Sequence, residues 1–398
     1  MPDSKLSNDV VIVGGGLVGM AAALKLAEDG MSVVLLEAQL PDLTMQHSSY
    51  DSRTLVVNPA SRQFWQQLDV WKSVATTATA INQVHVSNKG RFGHVLFDHN
   101  ELEVDALGHV VEAAVLGAVL WEKVKQQPSI KVLAPATMLT FTVSAADVEL
   151  TIEHQGEQKQ LTAQLMIAAD GAQSSIRKQL KLPINTKSYD KSAIICNIST
   201  VKSHNNRAYE RLTQSGPFAL LPFHDRYGLV WSNSNQRADE LMAMSERAFI
   251  HEAQQEFGLR QGEITQIGKR HRYPLFKIKV EKQYQSRVVL MGNAAHTVSP
   301  VSAQGLNLAI RGVKRLCHLL AQQHANRGDL GGETLLASYQ AESQADQDQI
   351  LSYTDDLMTW FKIDEPIINR LRSLSLVIIN SQIALKKKFF RLAGGLNH

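Results

Sequence analysis

The sequence predicts an α/β fold in three parts: a parallel-sheet domain, an antiparallel-sheet domain inserted into it, and a C-terminal helical segment. Three observations predict it. An apolar run, Asp9–Val13, breaks at once into Gly14-Gly15-Gly16-Leu17-Val18-Gly19. Between residues 184 and 277 the pattern changes to short apolar or alternating runs with Gly, Pro and Asp-Arg turns between them. Beyond about residue 345 the chain turns helical and ends in a cluster of Lys386, Lys387, Lys388 and Arg391.

Asp9–Val13 is the kind of short apolar run that makes a buried parallel strand. Gly14 then allows a tight turn, Gly16 lets a diphosphate approach the backbone, and Gly19 lets helix pack on strand. Leu17 to Asp29 is rich in Ala and Leu without Pro, a helix that Gly30 ends. Its first turn offers unpaired N–H groups and a positive dipole end to phosphate. Ser32–Leu36 is the second strand. Glu37 follows it, about 20 residues past the glycines, where a carboxylate holds ribose hydroxyls. These features predict a Rossmann-like site without separating FAD from NAD.

Two further strand ends make that separation. Leu165–Ala169 runs into Asp170-Gly171, with Ser174 and Ser175 placed to cap the next helix. Arg287–Met291 breaks into Gly292-Asn293-Ala294-Ala295-His296, followed by Pro300 and Ala303-Gln304-Gly305-Leu306-Asn307. The latter opens a long helix whose first N–H groups can face the electron-rich pyrimidine edge of a reduced flavin. Each segment alone is an ordinary turn. In this order they predict one bound FAD.

With these motifs the chain resembles the group A FAD-dependent monooxygenases of para-hydroxybenzoate hydroxylase-like fold, and among them the ubiquinone-biosynthesis hydroxylases. Within that set it is most similar to the 2-octaprenyl-6-methoxyphenol hydroxylases. The narrower likeness rests on Val84–Gly90, Tyr209–Pro217, Leu220-Leu221-Pro222, Gly268-Lys269-Arg270 and Tyr273-Pro274-Leu275. The resemblance runs to about residue 350. It implies that Gly14, Gly16, Leu17 and Gly19 hold the diphosphate and Glu37 the ribose. It places Arg53, within Asp51-Ser52-Arg53, beside the flavin, and links Asp170 and Gly171 to FAD and NAD(P)H. Gly292, Asn293, Pro300, Gly305, Leu306 and Asn307 complete the implied FAD set. Three positions depart from the pattern: Asn293 stands where many members have Asp, Ala303 where Gly is usual, and Gly312 where Asp is common.

The implied chemistry is reduction of FAD by transiently bound NAD(P)H, addition of O₂ as a flavin hydroperoxide, and transfer of one oxygen atom to an electron-rich prenylated phenol. The protein positions the substrate and excludes water. No second Gly-x-Gly-x-x-Gly marks a separate nicotinamide domain. Peptide N–H groups around Gly305 to Asn307 are expected to stabilise the anionic reduced flavin. No spacing in the sheet region selects a catalytic residue or general base. Other readings are a related flavin monooxygenase or reductase acting on a soluble aromatic, and a non-catalytic flavoprotein subunit of a biosynthetic complex.

The 398 residues suffice for more than one domain. The expected FAD-binding domain is discontinuous: residues 1–75, 105–183 and 278–345. Residues 76–104 form a hairpin, Gln83–Val86 with His94–Phe97, joining the substrate sheet of residues 184–277. That sheet includes Ala193–Ser199, Phe218–Pro222 and Tyr227–Trp231. Residues 346–398 are the C-terminal helices. Two cysteines, Cys196 and Cys317, are too few for a disulfide framework and read as buried thiols in a reducing compartment. The fourteen histidines show no metal-ligand spacing, so no metal is expected, and His296 alone falls inside a flavin motif.

A net charge of +3 gives no ground for nucleic-acid binding. No signal peptide or membrane-spanning run is present, so a cytoplasmic location is expected. As one helix, Ile367–Leu392 puts Ile367, Leu371, Leu374 and Ile378 on one face, with the cationic cluster beside Phe389 and Phe390. Such a helix can lie on the inner face of the cytoplasmic membrane, or pack on the protein itself or on a partner from the same biosynthesis.

Overall fold

The computed structural model describes residues 7–40, 53–298, 304–360 and 365–396. Among these residues the strands form sheets of eight, nine and three strands. The first sheet holds five parallel neighbours in the order Val288–Leu290, Glu157–Ala168, Ser7–Val13, Val33–Leu36 and Ile130–Leu133. Along Ser7–Val13 the side chains alternate between two cores. Val10 and Ile12 pack with the helices Leu17–Glu28, Ala113–Gln126 and Gly305–Ala325, while Val11 and Val13 pack with an antiparallel extension built from Ala136–Val143 and Val148–His154. A parallel sheet covered on both faces explains why its strands read as continuous apolar runs. Cys317 is fully buried in the helical core, and Cys196 in the second sheet.

The second sheet is antiparallel along most of its path, led by the 17-residue strand Ile184–Thr200. The hairpin Gln83–Asn88 with His94–Asp98 joins it at one end, where Gln83–Asn88 pairs in parallel with Arg207–Leu212. Two helices that the alternating pattern did not suggest, Asn235–Ala243 and Glu246–Phe257, cover its outer face through Leu241, Phe249 and Phe257. Ser234 and Ser245 cap them, each accepting a backbone N–H three residues on. The strand His271–Val280 stays with this sheet, so the chain returns to the parallel sheet after residue 280. A third small sheet, Thr54–Val57, Gly108–Glu112 and Thr79–Ile81, is not signalled by the alternating pattern, and its strands flank the hairpin Gln83–Asn88 with His94–Asp98 in sequence.

The single C-terminal helix expected over Ile367–Leu392 is instead two, Pro366–Ser381 and Ile383–Gly394, broken where Gln382 leaves helical geometry at φ −116°, ψ 100°. Beside the break, the Asn380 side chain accepts the Leu96 amide at 2.9 Å, capping the outer edge of the hairpin. The expected cationic end is also divided: Lys386 pairs with Glu101 and Lys387 with Glu103, while Lys388 and Arg391 remain exposed. No helix among the described residues is long and apolar enough to cross a membrane.

Candidate functional site

The parallel strands end in register, Val13 beside both Leu36 and Ala168, and Ala168 beside Leu290. All the glycine-bearing turns therefore leave the sheet at one edge, its C-terminal edge, where open α/β sheets bind ligands. Gly14, at φ +111°, donates its N–H to Leu36 O at 2.9 Å, and a Cβ on it would lie 2.4 Å from Ala169 O. A Cβ on Gly19 would lie 1.9 Å from Gly14 O, so the first helix can reach the strand only without one. Gly16 differs: a Cβ there would meet nothing within 4 Å, and no side chain caps the helix it begins. Leu17 opens that helix. The Glu37 carboxylate accepts from Gly15 N at 2.6 Å and Gln39 N at 3.0 Å, which holds it against the glycine turn with acceptor capacity to spare.

The mid-chain turn is tied to the same place. Ser174 caps the helix Ser175–Gln179 by accepting from Arg177 N at 3.0 Å. Asp170 accepts from Ser175 N at 2.8 Å through Oδ2, while its Oδ1 is buried with no partner in the protein. Gly171 adopts φ +85° with open space at its Cβ position. Gly292, at φ +58°, rests on Val18, and Asn293 beside it is exposed. Arg177, which the sequence reading passed over, is 4 % exposed and joins these turns by donating to Ala294 O at 2.8 Å and Ala172 O at 2.7 Å.

At the start of the long helix, Gly305 faces open space and Gln304 leaves Oε1 buried without a partner. Leu306 is partly buried against the helical core. Asn307 is buried, accepting from Asn58 N at 3.1 Å and donating to Val56 O at 2.9 Å. Its side chain therefore positions the helix rather than facing outward. A Cβ on Gly312 would lie 3.3 Å from the Tyr339 hydroxyl, so the Asp common at that position would crowd this ring. Arg53 is exposed, its guanidinium 5.7 Å from the Tyr273 ring of the second sheet. Pro300, Asp51, Ser52 and Ala303 lie outside the described residues.

His296 is buried with both ring nitrogens unpartnered in the protein. Burial lowers its imidazole to about 4, the nearby Asp346 carboxylate opposing and Arg311 adding to the effect. It is a neutral ring at physiological pH. Behind it Asp346 is held between Arg311 and Arg315 at 3.1 and 2.8 Å.

A cavity of about 330 Å³ opens from the helix start, bordered there by Asn58, Gln304 and Asn307. Its far wall is the second sheet, with Val84, Val86, Ala219 and Leu221, and the helix Ile383–Gly394 covers it with Phe389 and Phe390. Among the described residues that line it, Glu210 carries the one ionisable carboxyl. Burial pushes that carboxyl up to about 8, and its Oε1 has no partner in the protein.

The sequence profile of the FAD binding domain family matches residues 7–354. The chain belongs to that family. Ubiquinone hydroxylase UbiL of Rhodospirillum rubrum is 29 % identical over 389 residues, covering 97 % of this chain and 89 % of that protein. The 3-demethoxyubiquinol 3-hydroxylase of Escherichia coli is 28 % identical over 389 residues and 98 % of both chains. The solved p-nitrophenol 4-monooxygenase PnpA of Pseudomonas putida superposes with a TM-score of 0.80 over 98 % of both chains at 17 % identity, a likeness of fold.

The residues of this flavoprotein fit FAD. Gly16, Gly171 and Gly305 leave open space around one strand edge, and the unpartnered Asp170 Oδ1 and Gln304 Oε1 mark polar groups left to a ligand. Two helix starts without side-chain caps, at Gly16 and Gln304, leave backbone N–H groups that could meet an anionic ligand.

Proposed function

We propose that this flavoprotein is a monooxygenase that hydroxylates the aromatic ring of a polyprenylated phenol in ubiquinone biosynthesis, with NAD(P)H as transient reductant and O₂ as oxidant. The observation that carries the reading is the cavity between the Gln304–Asn307 helix start and the second sheet, walled by aliphatic and aromatic side chains. A prenyl tail is matched by such a wall. A soluble aromatic acid would need a cation to hold its carboxylate, and the described lining offers Glu210 instead. The relatives that carry ubiquinone or demethoxyubiquinol in their names, and that match this chain along nearly its whole length, support the pathway.

Bound FAD would supply oxygen activation. Gly14, Gly16, Leu17 and Gly19 would hold its diphosphate and Glu37 its ribose. Asp170, Gly171, Gly292 and Asn293 would hold the middle of the molecule, with Pro300, Gly305, Leu306 and Asn307 about its ring. Arg53 would approach the ring from the sheet side. Domain limits near 75, 104, 183, 277 and 345 are part of the same reading.

The exposed face Leu371, Leu374, Val377 and Ile378, with Ile383, Phe389, Lys388 and Arg391, supports contact with the inner membrane surface, where the prenyl tail resides. The test is an absorption spectrum of the purified protein, then NAD(P)H oxidation with and without 2-prenylphenol. A flavin spectrum, phenol-stimulated oxidation and a catechol product are expected. A bound flavin whose turnover ignores the phenol would overturn the substrate class.

A further inference from the structure

Glu210 lies on the strand Arg207–Leu212, whose side chains alternate between the two faces of the second sheet. The Tyr209 ring and the Arg211 guanidinium turn to the outer face, the ring packing on Phe257 at 5.3 Å and Arg211 Nε donating to Glu256 O at 3.1 Å, although Tyr209 also borders the cavity. Ala208, Glu210 and Leu212 belong to the face that lines the cavity. In the paired strands Glu210 stands between Val86 and Ala219, both of them also in that wall. No cation or second carboxyl faces it from these strands. Across the cavity the covering helix presents Phe389 and Phe390, and its Lys386 is engaged with Glu101. The Tyr209 hydroxyl is taken by Gln261. One carboxyl, with a buried unpartnered oxygen, thus stands in a wall that carries no other charged side chain among the described residues. A buried polar atom left without a partner costs roughly 1–3 kcal/mol. A structural role would have given it one.

We propose that Glu210 is the proton-transfer residue of this cavity, its carboxylate taking the proton of the substrate's phenol hydroxyl. The inference rests on the phenol reading above. The O–H bond breaks, its electron pair moves into the ring and raises electron density ortho and para to the oxygen, and the proton resides on Glu210. The ring carbon gains one oxygen atom of O₂ as a hydroxyl, while NAD(P)H supplies two electrons and the other oxygen atom leaves as water. That carbon then sheds its hydrogen to solvent as a proton. Glu210 returns its own proton to the original oxygen as aromaticity is restored.

The apolar wall makes the exchange practicable. A carboxyl raised to about 8 lies within roughly 2 pH units of a phenol, whereas an ordinary glutamate lies about 6 below it. The sheet also gives the substrate a direction, with the hydroxyl at Glu210 and the apolar remainder along Val86, Leu221 and Phe389.

The experiment titrates the FAD-loaded protein with 2-prenylphenol and with its methyl ether, 2-prenylanisole, following the flavin absorption change at pH 9. It then measures hydroxylation of 2-prenylphenol from pH 6 to 10. Wild type should prefer the phenol about tenfold, one charge-assisted hydrogen bond, and Glu210→Leu should lose the preference while still binding both. Glu210→Gln keeps the shape and should bind the phenol within about threefold. Its hydroxylation should fall roughly 100-fold or more and lose the rise near pH 8, with flavin reduction by NAD(P)H unchanged. A wild type that binds both compounds alike, or a Glu210→Gln protein that keeps rate and pH profile, would overturn the role of Glu210 alone. A wild type that binds neither would overturn the phenol reading and this one with it.

Discussion

Arg177 donates a hydrogen bond at 2.8 Å to the carbonyl of Ala294, 117 residues further along the chain. Through it the Asp-Gly turn and the Gly-Asn turn are held as one surface, since the same guanidinium also reaches Ala172 at 2.7 Å. Replacing Arg177 with Ala frees both turns. FAD affinity should fall roughly 10- to 100-fold, the equivalent of one or two charge-assisted hydrogen bonds. Fluorescence titration of the apoprotein with FAD measures it. An unchanged Kd would mean the turns hold their places without the bridge.

The two glycines of the first turn separate fold from cofactor. Gly19→Ala pushes a methyl into Gly14 O at 1.9 Å, so the apoprotein itself should lose stability, by about 1–3 kcal/mol for an overpacked site. Gly16→Ala meets no atom within 4 Å, so apoprotein melting should stay within about 1 kcal/mol of wild type while FAD binding weakens at least tenfold. Parallel melts with and without FAD distinguish the two. Equal losses in both variants would count against a diphosphate at Gly16.

Asn307 is a hinge pin with both ends engaged. Cutting it to Ala leaves Asn58 N and Val56 O without their partner, which should cost about 1–3 kcal/mol in a denaturant melt. Asn307→Asp keeps an acceptor for Asn58 N but sets a second acceptor against Val56 O, and should lose at least as much as the Ala variant at neutral pH.

Protonation gives opposite slopes at two sites. His296, held at about 4, stays neutral where an unfolded histidine near 6.5 would take a proton. Its contribution to stability is present above 6.5 and is lost as pH falls towards 4. His296→Gln should flatten that acid limb of a pH–melting curve. Glu210, raised from 4.5 to about 8, acts in the other direction. Folding favours its protonated form, so stability is present below 4.5 and is lost as pH rises through 8, by at most about 1.4 kcal/mol per unit. Glu210→Gln should therefore melt higher than wild type by a margin that grows over this window. A margin independent of pH would place the carboxyl in water.

The parallel sheet and its cofactor were legible because each relevant signal is local. A strand, a glycine turn and a helix start lie within about 20 residues, and Gly14, Gly19 and Gly292 each meet a backbone or core constraint that another residue type would violate. What escaped is what depends on distant pairing. Arg177 reads as a basic residue in a short helix until Ala294 is brought beside it. Glu210 has no spacing that singles it out until the strands beside it and the C-terminal helix enclose it. The break at Gln382 has no Pro or Gly to announce it.

The covering helix has a further consequence, in time rather than in space. Lys386 and its partner Glu101 are 285 residues apart in sequence. At roughly 5–20 residues per second, a ribosome needs about 15–60 s to travel between them. For that interval the hairpin wall of the cavity exists without its cover, and Val84, Val86 and Phe97 face solvent or whatever shields them. A chain that stalls before the helix is made would carry a complete nucleotide turn and a greasy half-chamber, which is the form most prone to aggregate and most in need of a chaperone.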